Sequence, residues 1–333
     1  MRGGAQTRII QSWGQAVNRL DGLPEIHALW IGPRLTWIEL LSIHSWLKHG
    51  HRVTLWCYEQ IEGVPNAVCI ADAAMILPSS SIIRHRAMGS FALFANRFRY
   101  HLLQRFPVTW LDLDMVLLRP LGHTSPYLFG WETPTSICNA VLRMPPKSPV
   151  LHDLIHLTDA RTPVPEWWPL RRRVKQRIKG LIGRHRRAED MEWGTFGPAA
   201  LTYFLLRRNL AGYALPIEMF YPIHWEELPL LFATPDMVSP RLTEETNGVH
   251  LWSSNINHFP DYKTWLSAHL QIHGWEQCAS VAAYLKRCDI FARRLRTMRE
   301  TAAVTTSLRR LKSTQCPGLC PSSWRYECCR TFH

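Results

Sequence analysis

The sequence predicts an α/β protein whose sheet begins with parallel strands. Three stretches carry that prediction. "IHALWI" (26–31) is a short apolar run closed by "GPR", which reads as a buried strand and a turn. "TWIELLSIHSWLKHG" (36–50) spaces its apolar residues as a helix does, and Gly50 suits its C-terminal cap. "RVTLWCY" (52–58) then returns at once to β-rich sequence. Strand–helix–strand with short links is the pattern of a crossover between parallel strands.

The remaining elements follow in chain order. "DAAMILP" (72–78) reads as another short strand with its turn, and "FALFANRFRYHLLQRF" (91–106) as a helix that Pro107 stops. "VTWLDLDMVLLRP" (108–120) reads as one strand ended by Pro120, "SICNAVLRMP" (136–145) as a further strand, and "SPVLHDLIHLTDA" (148–160) as a helix. Residues 161–190 hold Pro, Trp and a basic run, and read as an excursion from the core. "GPAALTYFLLRRN" (197–209) predicts a helix after Gly-Pro. "MFYPIHW" and "GVHLWSSN" read as short strands or loops, and 280–304 as a last helix.

Composition bounds the class. The chain has 333 residues, 46% of them hydrophobic, so it can bury a sizeable core. Its formal charge of +13 suits an anionic partner such as a phosphorylated substrate, a membrane or a nucleic acid. The 15 tryptophans exceed ordinary core needs and suit a ring-binding cleft as well as packing. Nine cysteines, an odd number widely spaced, argue against a disulfide scaffold and for reduced thiols in a cytoplasm. The first residues lack the apolar core of a leader, and no run reaches the roughly 18 apolar residues of a membrane helix. The expectation is a cytoplasmic protein, free or peripheral at the inner face of a membrane.

Asp112 and Asp114 interrupt an apolar run with only Leu113 between them. On a strand, residues two apart share a face, so the two carboxylates would point the same way. Unpaired, they would repel and be costly to bury. A hard divalent cation, Mn²⁺ or Mg²⁺, removes both difficulties and bridges to phosphates. A dehalogenase-type phosphatase also uses D-x-D at a strand end, with the first Asp as nucleophile. It needs a later strand ending in adjacent acids, and the pair Glu189-Asp190 follows a basic run instead.

"FRYHLLQRF" followed by "WLDLDMVLLRP" resembles the sugar-binding region, with its D-x-D motif, of retaining glycosyltransferases. The resemblance is to the α-1,4-galactosyltransferase and α-mannosyltransferase type, including capsule and lipopolysaccharide enzymes. "IHALWIG", "LSIHSWLKHGHRVTLWCYE", "CNAVLRMPPKSPVL", "FGPAALT", "YPIHWEE" and "GVHLWSSN" support it in the same order, over roughly residues 24–260.

The resemblance implies a GT-A type, Rossmann-like nucleotide-sugar-binding fold with a mixed central sheet. It implies a metal-dependent, retaining hexosyltransferase that uses a UDP-sugar or GDP-sugar, galactose-like, and a glycan or lipid-linked sugar acceptor. Asp112 and Asp114 would be the catalytic pair and would hold Mn²⁺ or Mg²⁺, with His250 completing the metal site. Trp30, Asn96, Arg99, Tyr100 and Asp112 would contact the nucleotide-sugar. Asn96 stands where the family usually has Asp, and "FPVT" where it tends to show Gly-Gly. No nucleophile is evident; His224, Glu226 and Glu227 are the candidates in "IHWEE". The domain would span 24–265, after an extension at 1–23 and with an insertion at about 161–190. A helical segment would cover 266–305, and a Cys-rich, disordered tail 306–333. A second reading, motivated by Asn96 and the basic run, is a non-catalytic membrane-surface or polyanion-binding protein on a decayed glycosyltransferase fold.

The stretch 171–187 carries nine Lys or Arg and no acid. As a helix it would set Val174, Ile178, Leu181 and Ile182 near one face among those charges. That suits an anionic membrane surface. No nucleic-acid motif accompanies it, so nucleic acid is not an expected partner.

Overall fold

The computed structural model describes residues 22–232 and 238–258. They fall into two units. The first runs to Pro222 and takes in Glu244–His250; the second comprises Ile223–Thr243 and continues from Leu251.

The first unit is a mixed α/β structure. Strand β1 (Ile26–Trp30), helix α1 (Trp37–Lys48) and strand β2 (Val53–Cys57) form the predicted crossover, with β1 and β2 parallel. Both strands are apolar and buried nearly throughout, as a parallel sheet covered on two faces requires. Glu39 accepts the Thr36 backbone N–H at 2.6 Å and so fixes the start of α1. Gly50 lies just past its end with φ +83°, the left-handed conformation that a glycine takes without strain.

Strand β3 (Val68–Asp72) pairs parallel with β2. It lies earlier than predicted: "DAAMILP" is the strand's last residue, then a short 3₁₀ turn at Ala73–Met75 that Asp72 caps through the Ala74 N–H. Helix α2 (Ala92–Arg105) leads to β4 (Thr109–Leu111). Then come β5 (Met115–Leu117), β6 (Leu128–Thr133), β7 (Ser136–Arg143) and α3 (Pro149–Asp159). The main sheet has the order β3-β2-β1-β4-β7-β6. β4 runs parallel to β1 and antiparallel to β7, so the sheet is mixed. The hairpin partner β6 was not predicted, because "LFGWET" has no alternating pattern and gains its strand only by pairing with β7.

The excursion contains helix α4 (Leu170–Leu181). A π-helical turn at Thr195–Ala199 precedes α5 (Ala200–Arg207), and the short α6 (Ile217–Phe220) follows. Last comes β8 (Gly248–His250), which pairs antiparallel with β5 in a separate two-stranded ribbon. The core packs Trp56, Phe94, Phe98, Trp110 and Leu154 around α2, α3 and α5.

The second unit, as described, consists of short 3₁₀ turns at Trp225–Phe232, Ser239–Arg241 and Ser253–His258. The Trp252 indole donates to the Ile223 carbonyl at 2.8 Å. The predicted helix at 280–304 and the Cys-rich tail lie outside the described residues. No helix among the described residues is long and apolar enough to cross a membrane.

Candidate functional site

The paired aspartates do not lie on one strand. β4 stops at Leu111, and the Asp112 N–H makes a last ladder bond to the Ala140 carbonyl at 2.8 Å. The chain then turns: the Met115 N–H donates to the Asp112 carbonyl at 3.0 Å, and β5 leaves for the second ribbon. The single strand expected over 108–120 is therefore two strands and a turn. The turn resolves the problem the sequence poses. Two carboxylates inside a sheet could not be solvated, whereas the turn beyond the strand end leaves Asp112 a quarter exposed, while Asp114 stays buried beside His250.

Each aspartate has its own partner. Arg99 grips Asp112 with both terminal nitrogens, Nη2 to Oδ1 at 2.8 Å and Nη1 to Oδ2 at 3.3 Å. The Trp110 indole adds a donor to Asp112 Oδ1 at 2.7 Å. Arg99 is itself 3% exposed, with its other bonds going to the Asn139 and Ala95 carbonyls. It is a buried cation that Asp112 neutralises. Asp114 instead meets His250, whose Nε2 lies 3.1 Å from Asp114 Oδ1. β8 carries His250 to this point because its register sets His250 opposite Met115.

The three donor groups of Asp112, Asp114 and His250 converge, with ligand atoms all within 4.8 Å of one another. An ion about 2.1 Å from each would hold its donors at most about 4.2 Å apart, so sub-ångström adjustments would close the set. Two carboxylates and an imidazole suit Mn²⁺ better than a strictly oxygen-seeking ion. Both oxygens of Asp112 accept from Arg99, and Oδ1 also accepts from Trp110.

The charges shape the titration. Burial raises the Asp112 pKa, against the pull of Arg99, and the Asp114 charge raises it further. A quarter of the Asp112 side chain meets solvent, which tempers that effect. For His250, burial favours the neutral ring, but the Asp114 carboxylate outweighs it and raises the pKa. Glu39 at the start of α1 has its pKa raised by burial and, to a smaller degree, by the Asp114 charge.

Behind the aspartates lies an amide network. Asn139 on β7 donates through Nδ2 to Asn96 Oδ1 at 2.8 Å and to the Tyr100 hydroxyl at 3.1 Å. Tyr100 is wholly buried and donates to the Phe196 carbonyl at 2.8 Å. The π-helical turn brings Gly197 against the same amides: a Cβ there would stand 3.1 Å from Asn96 Nδ2 and 3.3 Å from Asn139 Oδ1.

Trp30 ends β1. β1 runs parallel to β4, so Trp30 stands at the same carboxyl edge from which the aspartates emerge. Its indole N–H is buried with no hydrogen-bond partner among the described residues. His224, Glu226 and Glu227 belong to the second unit. There Glu227 accepts the His224 N–H at 3.3 Å and pairs with Arg241, while His224 Nδ1 lies 3.6 Å from Glu226.

Residue reading alone missed Trp110, Glu39 and Asn139. Trp110 is two residues before Asp112, so strand alternation could have flagged it. Asn139 and Glu39 are distant in sequence, and nothing local marks them.

No family model matches the chain, and no curated protein matches it. Among solved structures it is similar to one titled "PaToxG Glycosyltransferase", at 14% identity and a TM-score of 0.37, over 62% of this chain and 78% of that one. An overlap that loose bears on neither fold nor activity here.

Proposed function

We propose that this protein is a metal-dependent, retaining glycosyltransferase. In this reading it moves a hexose, galactose-like, from a UDP- or GDP-sugar to a glycan or lipid-linked acceptor of cell-surface polysaccharide. The observation that carries it is the convergence of Asp112, Asp114 and His250 beyond the carboxyl end of β4. In open α/β sheets that edge is where ligands bind. The ordered sequence stretches that resemble the glycosyltransferases support the same assignment.

Asp112, Asp114 and His250 would together hold Mn²⁺ or Mg²⁺. When bound, the ion neutralises charge that builds on the departing diphosphate. Arg99 orients Asp112 and offsets its charge, so the turn stays closed without the donor. Asn96, fixed by Asn139, offers its amide N–H to a sugar hydroxyl. The buried indole N–H of Trp30 is an unmet donor at the same sheet edge, suited to a nucleotide carbonyl. With no nucleophile in place, retention would use front-face attack by the acceptor hydroxyl, its proton passing to the leaving phosphate.

The phosphatase alternative fits poorly. Both oxygens of Asp112 already accept hydrogen bonds, which weakens it as a nucleophile. Its would-be acidic pair, Glu189-Asp190, sits in a 3₁₀ turn on Arg86, away from any strand end.

The test is nucleoside-diphosphate release from a panel of UDP- and GDP-sugars, with Mn²⁺ and with EDTA, on wild type and Asp114→Ala. Metal-dependent release from one donor, lost in the variant, is expected. Nucleotide binding without release from any donor would shift the assignment to a non-catalytic binding protein.

A further inference from the structure

Helix α4 is mounted with its amphipathic faces reversed. Its polar side holds it to the first unit. Gln176 donates to the Pro163 carbonyl at 3.2 Å and the Arg186 carbonyl at 2.6 Å, and accepts the Arg186 N–H at 3.1 Å. One turn earlier, Arg172 lies 3.5 Å above the Trp168 ring and pairs with Glu192 at 2.6 Å. One turn later, a Cβ on Gly180 would stand 2.9 Å from the Thr162 side chain, so the helix is seated closely there. Residues 172, 176 and 180 lie along one face.

The opposite face is apolar and open to solvent. Leu170 is 69% exposed, Val174 43%, Ile178 57% and Leu181 88%, and the next residue, Ile182, is 63% exposed. Helical spacing places Arg171 and Lys175 on one flank of this ridge and Arg173 and Arg177 on the other. An ordinary surface helix turns its apolar stripe inward. A contiguous ridge of this kind marks a contact surface.

The charge identifies what covers it. Residues 170–187 contain no acid. A second copy of this face would bring two strongly basic surfaces together. The chain beyond residue 258 carries more Lys and Arg than Asp and Glu, so it too repels this surface. Aliphatic side chains offer nucleic-acid bases no ring to stack on. An anionic lipid surface satisfies both halves: acyl chains take the ridge, and headgroup phosphates take the flanks.

We propose that α4 docks the protein on an anionic bilayer. It lies in the headgroup plane, with Leu170, Val174, Ile178 and Leu181 inserted and Arg171, Lys175 and Arg177 on lipid phosphates. This surface stands independently of the activity assigned above.

The test is flotation of the full chain with phosphatidylcholine vesicles, with and without phosphatidylglycerol, together with thermal unfolding of each variant. Wild type is expected to float only with the anionic vesicles. Replacing Arg171, Lys175 and Arg177 by Gln weakens binding about a hundredfold, at roughly fivefold for each charge. Ile178→Ser with Leu181→Ser, which leaves the charge intact, weakens it about tenfold or more. Both sets should unfold at the wild-type temperature, because these side chains face solvent. Should the serine variant unfold early, Ile178→Phe with Leu181→Trp tests the same ridge, and tighter binding is expected. Three results would overturn the proposal: no flotation of wild type, serine or enlarged-ridge variants that bind as wild type does, or single-stranded RNA displacing the vesicles.

Discussion

Replacing Asp112 by Ala should unfold the site before it affects any metal. The change removes both carboxylate contacts of Arg99, at 2.8 and 3.3 Å, and strips the Trp110 indole of its acceptor. Arg99 is 3% exposed and cannot swing into water, so it stays buried with only carbonyl partners. Breaking one half of a buried pair costs about 3–5 kcal/mol. Water can enter beside Asp112, whose side chain is 26% exposed, so the lower end, about 3 kcal/mol, applies. For a domain of this size that lowers Tm by about 6–12 °C. Asp114→Ala makes the contrast, since its partner His250 is an imidazole, which unlike a guanidinium is stable without a charge. It should cost only about 1 kcal/mol while removing a metal ligand. Calorimetry in EDTA measures both, and adding Arg99→Met to Asp112→Ala should recover much of the loss. Equal melting temperatures for the two single variants in EDTA would refute the view that Asp112 exists to neutralise Arg99.

Three further outcomes follow from the geometry. Gly248→Ala puts a Cβ 2.9 Å from the Val116 carbonyl oxygen, so β8 must shift and carry His250 off Asp114. The expected result is a loss of about 1–3 kcal/mol and a smaller Mn²⁺-induced rise in Tm than wild type gives. Asn139→Ala removes the bonds to Asn96 and Tyr100, and should cost about 2 kcal/mol in denaturant unfolding and reduce donor cleavage in the diphosphate-release assay. Burial opposes ionisation of Glu25, but His27, Thr54 and Arg52 together outweigh it and hold its pKa down at about 2, below the ordinary 4.5. Its folded value lies below its unfolded one, so the stabilisation is full above about pH 4.5 and is lost as pH falls toward 2. The shift corresponds to about 3 kcal/mol, and Glu25→Gln should flatten the acid limb of a stability–pH curve.

Much of this molecule was written locally. The β1–α1–β2 start, α2 before Pro107 and α3 were legible because apolar period, caps and breakers act within a few residues of chain. The Asp112/Asp114 pair was legible for a similar reason, since two carboxylates in an apolar run demand a cation wherever they end up. Periodicity could not show that the run breaks between them. β4 and β5 are each three residues long, and which sheet each joins depends on partners, β7 and β8, that lie far along the chain. The same holds for β6, which has no pattern of its own. The Asn96–Asn139–Tyr100 network needs contacts across about 40 residues of sequence, which only packing brings together. Helix α4 shows the division most clearly. The sequence by itself determined a basic amphipathic helix. Which side faces the protein was a tertiary decision, and Gln176, Gly180 and Arg172 made it by seating the polar side. The apolar ridge was left outward, because the unit's core was already filled by α2, α3 and α5.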